Sequence, residues 1–295
     1  MPRFPYETVD VFTDRPFGGN PLAVFTDARG LSDAQMQALA AEMNYSETTF
    51  VLPADDPAND ARVRIFHRTA EMPFAGHPNV GTAYVLARQG RDRGGLLRFE
   101  QKAGLVDIAV ERNAAGAVTG AVVAAPQALS LGMELPVDGI AACAGLSVGD
   151  LVTAAHKPVH ASVGVKFVLT QVKPEALAGA APDLAVFRKL VRVHDELAGR
   201  LSLFLYARDG NTIRARMFAP LAGTWEDPAT GSASATLGAL LLSLEGGDKA
   251  AFSIMQGVEM GRPSLLRVTS WCADGSYRSR VGGNCTPMFR GEALL

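Results

Sequence analysis

Two spacings of hydrophobic residues recur along the chain, and they predict strands interrupted by a few helices. In the first half, strands are predicted near residues 10–13, 21–25, 48–52, 62–67, 96–101, 105–110 and 118–124, with apolar and polar positions alternating at 10–13 and 62–67. Ser32 is predicted to cap a helix, and Leu31, Met36, Leu39, Ala40 and Met43 lie at helical spacing around and after it. The second half predicts strands at 166–172, 201–206 and 213–218, and an amphipathic helix over 183–197.

Two further segments, 79–89 and 233–244, predict helices that are apolar on nearly every face, so other elements must surround them. Each follows a Glu-x-Pro-x-x-Gly loop, at 71–76 and 226–231. The same order holds for Arg-x-Phe at 64–66 and 216–218, and for Phe-x-x-x-x-Gly at 99–104 and 252–257. This repetition indicates duplication of a whole domain.

The predicted fold class is therefore α/β (α+β), with two similar domains at 1–125 and 126–295. Each is expected to be a barrel-like mixed sheet wrapped around one central helix. The return of the last strand to the first domain is left open by the sequence. The two helix starts are expected to face each other across a cleft, a common place for a ligand.

Both Gly-bearing loops deliver the chain into a helix start, where backbone N–H groups lack partners and the helix dipole favours negative charge. Gly76 and Gly231 let an anion approach that backbone closely. For either loop alone, a glycine that only permits a tight turn is the simpler interpretation. The shared acid, proline and glycine favour a carboxylate-bearing small molecule held between both helix starts.

Composition narrows the class of protein. The 295 residues are 48% hydrophobic and 20% charged, with a formal net charge of −2, so no global field attracts nucleic acid or an acidic membrane. The N-terminus has no apolar signal core, and the longest apolar stretch is too short to span a bilayer. Three widely separated cysteines argue against a disulfide framework and a structural zinc site, and the histidines show no metal spacing. We expect a cytoplasmic enzyme.

One acid stands where the duplication breaks. Glu47 lies between the first helix and its strand, and the corresponding place near residues 199–201 has no acid. Apolar residues and threonines follow it, so its carboxylate could be desolvated and its pKa raised into the range of a general base. The simpler interpretation is a surface acid or a helix cap.

Four motifs in order resemble the PhzF-like family, which is named for the phenazine-biosynthesis isomerase. They are Gly-Asn-Pro-Leu-Ala-Val-Phe at 19–25, Ser-Glu-Thr-Thr-Phe-Val at 46–51, Glu-Met-Pro-Phe-Ala-Gly-His-Pro at 71–78 and Glu-Asp-Pro-Ala-Thr-Gly-Ser-Ala at 226–233. The resemblance implies the diaminopimelate-epimerase-like fold, a homodimer and no cofactor. It also implies an isomerase that moves a proton on a substrate like trans-2,3-dihydro-3-hydroxyanthranilate, with a glutamate as acid/base.

The motifs and the resemblance together give a set of expected site residues. The expected catalytic residues are Glu47, His77 and Asp227. The expected substrate-binding residues are Asn20, Ser46, Gly76, Gly231 and Ser232. No residue is assigned to a metal.

Two departures keep alternatives open. The related epimerases and racemases use one cysteine at each Gly loop, and this chain has no cysteine near Gly76 or Gly231. Many relatives have Thr-Pro where this chain has His67-Arg68, which changes the charge beside the expected cleft. The alternatives are a non-thiol epimerase or racemase of amino-acid-like substrates, and a non-catalytic binding protein.

Overall fold

The polypeptide divides into two units in the computed structural model, which describes all 295 residues. The first unit comprises Met1–Pro126 and Arg280–Leu295, and the second comprises Gln127–Ser279. Residues 280–295 lie in the first unit, because the last strand pairs there with two other strands. The sequence had left this return of the last strand open.

The first unit has two helices, α1 Asp33–Met43 and α2 Gly76–Arg88. Its strands are β1 Arg3–Val11, β2 Asn20–Phe25, β3 Glu47–Leu52, β4 Ala61–His67, β5 Glu71–Met72, β6 Leu96–Gln101, β7 Gly104–Arg112, β8 Val118–Ala124 and the later part of β17 Ser276–Leu294. Eight of them close a barrel in the order β1, β2, β3, β4, β6, β7, β8 and β17. The pairs β2–β3 and β4–β6 are parallel, and the others are antiparallel.

Helix α2 lies inside this barrel, as its apolar sequence predicts. Every residue from Gly76 to Ala87 is buried. At Gly81 the barrel wall approaches so closely that a Cβ atom would lie 2.6 Å from Leu22 Cδ2 and 2.8 Å from Val11 Cγ2. A larger residue at Gly81 would overpack the barrel.

The second unit repeats this plan around α6. Its helices are α3 Val137–Cys143, α4 Pro174–Leu177, α5 Leu184–Val193 and α6 Gly231–Glu245. Its strands are β9 Ser130–Glu134, β10 Val159–Ser162, β11 Lys166–Gln171, β12 Leu203–Asp209, β13 Thr212–Ala219, β14 Thr224–Asp227, β15 Lys249–Gln256 and β16 Ser264–Ala273. Strand pairing runs through β9, β10, β11, β12, β13, β15 and β16. Helix α6 is largely buried and packs against β10, β11, β15 and β16, so the predicted fold class is confirmed.

A hydrophobic cluster outside the central helix joins α3 and α5 to the sheet of the second unit. It includes Ile140, Phe187, Leu190, Leu205 and Phe218. Asp183 caps α5 by accepting hydrogen bonds from two backbone N–H groups of the first turn. The helix predicted over 183–197 ends at Val193, and a short 3-10 turn follows it.

The repeated sequence landmarks form the same contacts in both units. Arg64 Nε and Nη2 donate to the two carboxylate oxygens of Glu71, at 2.8 and 2.9 Å. Arg216 donates in the same way to Glu226, at 2.8 Å for both bonds. The bidentate pair ties the strand before each Gly loop to the start of that loop.

None of the helices is long and apolar enough to cross a membrane.

Candidate active site

Glu47 is the first residue of β3, so it belongs to the sheet and not to the loop before it. It lies opposite His67 on antiparallel β4 and beside Leu22 on parallel β2. The next residues of the strand are buried, and only 15% of the Glu47 side chain is exposed. Ser46 immediately precedes the strand. The structure therefore holds this carboxylate at the end of a barrel strand that is paired on both sides.

His77 lies within contact distance of this carboxylate. It is the second residue of α2 and is 5% exposed. Its Nε2 atom is 3.4 Å from Glu47 Oε2, a contact that is longer than an aligned hydrogen bond.

Asn20 contacts the opposite nitrogen of the same ring. Its Nδ2 atom is 3.5 Å from His77 Nδ1. Burial lowers the pKa of His77 to about 3, so the imidazole is neutral at ordinary pH. When Nδ1 accepts from an amide N–H, the ring proton of a neutral imidazole is on Nε2, which faces Glu47 here. Asn20 is fully buried and lies beside the nitrogen opposite to the one that faces Glu47.

A second amide pair fixes the loop that leads into α2. Asn79 Nδ2 donates to the Ala75 carbonyl at 3.0 Å, and Gln101 Nε2 donates to Asn79 Oδ1. Gln101 ends β6, the strand that follows the central helix. The loop containing Gly76 is therefore tied both to its own helix and to the barrel wall.

The start of α6 carries a different polar cluster. Asp227 ends β14 and is 6% exposed. Thr230 Oγ1 donates to Asp227 Oδ2 at 2.6 Å. Gln256 Nε2 donates to the Asp227 carbonyl at 2.7 Å and to Thr230 Oγ1 at 3.0 Å. Gly231 and Ser232 are the first two residues of the helix.

Both central helices begin without a capping side chain. Ala75 and Thr230 are the N-cap residues of α2 and α6, and neither side chain accepts a hydrogen bond from the first turn. Ser32 caps α1 and Asp183 caps α5, whereas the short helices α3 and α4 also lack a capping side chain. Uncapped N–H groups at a helix start are the groups that bind carboxylates and other anions.

The predicted site residues thus fall into two groups, one in each unit. The structure brings Asn20, Glu47 and His77 into contact, with Ser46 and Gly76 adjacent in the chain. Asp227, Gly231 and Ser232 share one helix start. Sequence reasoning missed Thr230 and Gln256. Thr230 lies inside the second Gly-loop motif, and Gln256 directly precedes the glycine of Phe-x-x-x-x-Gly at 252–257.

The cysteines lie outside both loops. Cys143 ends α3, Cys272 lies in β16 and Cys285 lies in β17, and none forms a disulfide. Burial raises the pKa of the Cys143 thiol to about 12, so this thiol is not a nucleophile at ordinary pH. A two-thiol site at the helix starts is therefore absent.

The chain is similar in sequence and in fold to known proteins. The family model described as phenazine biosynthesis-like protein (PhzC-PhzF) matches residues 9–291. The chain is 37% identical over 298 residues to trans-2,3-dihydro-3-hydroxyanthranilate isomerase of Pseudomonas aeruginosa, covering 98% of this chain and 99% of the relative. It is 36% identical over 300 residues to an uncharacterized isomerase of Mesorhizobium japonicum, covering 98% of each. A crystal structure of a PhzF-family phenazine biosynthesis protein from Bacillus anthracis matches all of both chains with a TM-score of 0.89 and 26% identity.

Proposed function

The chain belongs to the phenazine biosynthesis-like (PhzF) family and is an isomerase, and we propose a reaction from this premise. In this proposal the enzyme moves a proton on a small carboxylate-bearing substrate, and Glu47 is the principal acid/base. The family match confirms the resemblance carried by the four motifs. The substrate proposed first is trans-2,3-dihydro-3-hydroxyanthranilate or a close analogue, because three relatives at 35–37% identity carry that name.

The contact between Glu47 and His77 carries this proposal. A carboxylate that is 15% exposed on a barrel edge is partly desolvated, which makes it a stronger base toward a carbon acid than a hydrated carboxylate. Neutral His77 presents Nε2–H to it without adding a full charge. In the proposed reaction Glu47 removes a proton from one substrate carbon and returns it to another, so the carboxylate is regenerated at the end.

His77 and Asn20 have separate roles in the proposal. The His77 N–H orients the Glu47 carboxylate and donates to polar substrate groups as charge develops. Asn20 holds the tautomer of His77 through the 3.5 Å contact with Nδ1. In this proposal Asn20 has two roles: it positions His77, and it binds substrate directly.

The uncapped helix starts supply the anion recognition. We assign the N–H groups after Gly76 to the substrate carboxylate or to developing negative charge beside Glu47. Gly231 and Ser232 offer the same kind of donors beside Asp227. Asp227 acts in this scheme as an ionised carboxylate that binds a polar substrate group.

Two further assignments belong to the proposal. The resemblance implies a homodimer, which sedimentation at several protein concentrations would test. We place the protein in the cytoplasm, because three cysteines outside any disulfide are typical of a reducing compartment.

The experiment is incubation of the enzyme with trans-2,3-dihydro-3-hydroxyanthranilate in D₂O, followed by NMR of substrate and product. We expect isomerised product with solvent deuterium at a ring carbon. Exchange and inversion at Cα of an amino-acid-like substrate, without ring isomerisation, would favour the non-thiol epimerase. Thermal stabilisation by small carboxylates with no exchange in any of them would favour a binding protein.

A further inference from the structure

The carboxylate of Asp227 ends a directed chain of hydrogen bonds. Gln256 Nε2 donates to Thr230 Oγ1 at 3.0 Å, and Thr230 Oγ1 donates to Asp227 Oδ2 at 2.6 Å. Gln256 is fully buried, and Asp227 and Thr230 are 6% and 7% exposed. The final bond is short, as expected for a hydroxyl that donates to an ionised carboxylate.

The direction of this chain is fixed by the backbone. Gln256 Oε1 accepts from the Thr230 N–H at 3.0 Å, and its Nε2 donates to the Asp227 carbonyl at 2.7 Å. These two bonds determine which end of the amide is oxygen and which is nitrogen. The Thr230 hydroxyl therefore accepts from Gln256, and its single proton is directed to Asp227.

The Thr230 hydroxyl donates to Asp227 and does not cap helix α6. It is the N-cap residue of α6, where a threonine hydroxyl commonly accepts from the first turn of the helix. Ser32 does so for α1 through the N–H of Gln35. At α6 the hydroxyl turns to Asp227, so the helix start keeps its uncapped N–H groups and the carboxylate gains a donor.

We propose that Thr230 and Gln256 are positioning residues for the reaction, which hold the Asp227 carboxylate ionised and in a single orientation beside the start of α6. This inference rests on the role of Asp227 in the proposed function. Thr230 acts on Asp227 directly, and Gln256 acts on it by directing the Thr230 hydroxyl. A hydrogen bond to the ionised form stabilises that form, so loss of the Thr230 hydroxyl should shift protonation of Asp227 to higher pH.

The first test follows the Asp227 carboxyl carbon by NMR in protein labelled with ¹³C-aspartate, with the resonance assigned from Asp227→Asn. Thr230→Val keeps the side-chain shape and removes the hydroxyl, and the titration midpoint should rise by about one pH unit. Thr230→Ser should restore the wild-type midpoint. Thr82→Val removes another buried hydroxyl, one that bonds Thr49 at 2.8 Å, and should leave the midpoint unchanged. If Thr230→Val does not fold, Thr230→Ala removes the same donor with less volume.

The second test is turnover in the D₂O assay. Thr230→Val should lower kcat/KM by about tenfold, with the loss largest at acid pH, and Thr230→Ser should retain most of it. An unchanged Asp227 midpoint in Thr230→Val, with Asp227→Asn still impaired, would overturn this inference alone. Wild-type turnover by Asp227→Asn would instead overturn the role of Asp227 in the proposed function.

Discussion

Asn20, Glu47 and His77 form a short polar chain whose direction follows from burial. His77 is enclosed by the barrel, so its ring is neutral, and in the proposed tautomer its proton is on the nitrogen that faces Glu47. A protonated histidine would instead form an ion pair with Glu47 and weaken it as a base. At the residue scale, desolvation of one imidazole therefore protects the basicity of a neighbouring carboxylate.

The buried neutral histidine should also appear in the pH dependence of stability. The pKa of His77 falls from its ordinary value of 6.5 to about 3 on folding, so below pH 6.5 the unfolded chain binds a proton that the folded chain does not. Stability from this group is complete above pH 6.5 and is lost as the pH falls from 6.5 toward 3. Between pH 7 and pH 5 the wild type should lose about 2 kcal/mol more unfolding free energy than His77→Gln. Urea unfolding of both proteins at the two pH values measures this, and equal losses would contradict the neutral assignment.

At the scale of elements, the repeated landmarks are explained by what each Arg-Glu pair joins. Arg216 is 8% exposed along its side chain and Glu226 is 11% exposed. The Nη1 atom of Arg216 also donates to the carbonyls of Leu177, Ala178 and Ala180, the nearest at 2.6 Å. One guanidinium thus fixes α4 and the strand β14 that carries Asp227.

Removing this guanidinium should leave a buried carboxylate and several carbonyls without their donor. We expect Arg216→Leu to lower the unfolding free energy by about 3–5 kcal/mol. Arg62→Leu is the matched control, because Arg62 and Asp55 are exposed and 3.3 Å apart, and it should cost about 1 kcal/mol or less. The double variant Arg216→Leu with Glu226→Leu should be milder than Arg216→Leu. Equal losses in Arg216→Leu and Arg62→Leu would contradict the structural role.

Most elements around the two central helices follow from the sequence pattern, and their ends differ by a few residues. The strand β2, the capped helix α1 and both buried helices lie where the sequence pattern predicts them. The strand β1 spans Arg3–Val11 and overlaps the strand predicted at 10–13 by only two residues. The short helices α3 and α4 and the strands β5, β9, β10, β14 and β16 were not predicted. All of them except β16 hold two to seven residues, too few for a periodic pattern. The ten-residue strand β16 does bury every second residue from Ser264 to Ser270.

At the scale of the whole molecule, the strand β17 is the feature that the sequence concealed. It contains Gly282, Gly283, Pro287 and Gly291, which usually indicate breaks. The structure explains two of them. A Cβ at Gly282 would lie 2.5 Å from Val122 Cγ2 and 2.9 Å from the Ala121 carbonyl oxygen on β8, and Pro287 lies at a register shift against β1. Closure of the barrel, which only long-range pairing determines, is what makes these residues compatible with a strand.

Part of the candidate site was predicted from the sequence, and part of it depends on long-range contacts. Motifs identified Glu47, His77 and Asp227 because each lies in a short recognisable stretch. The bond from Gln256 to Thr230 joins residues 26 positions apart in the chain, and only the folded second unit brings them together. Thr230 was visible in its motif, but nothing in the sequence distinguished a carboxylate donor from an ordinary helix cap.

Solvent deuterium uptake by the Glu47→Gln variant tests the central claim most directly. The amide keeps the shape of the side chain and removes the base, so the variant should fold and bind substrate while exchange falls by about 10²–10⁴-fold. Glu42→Gln, an exposed change on α1 in the same unit, should exchange at the wild-type rate. Exchange by Glu47→Gln as fast as wild type would contradict the account and pass the role of base to Asp227 or His77.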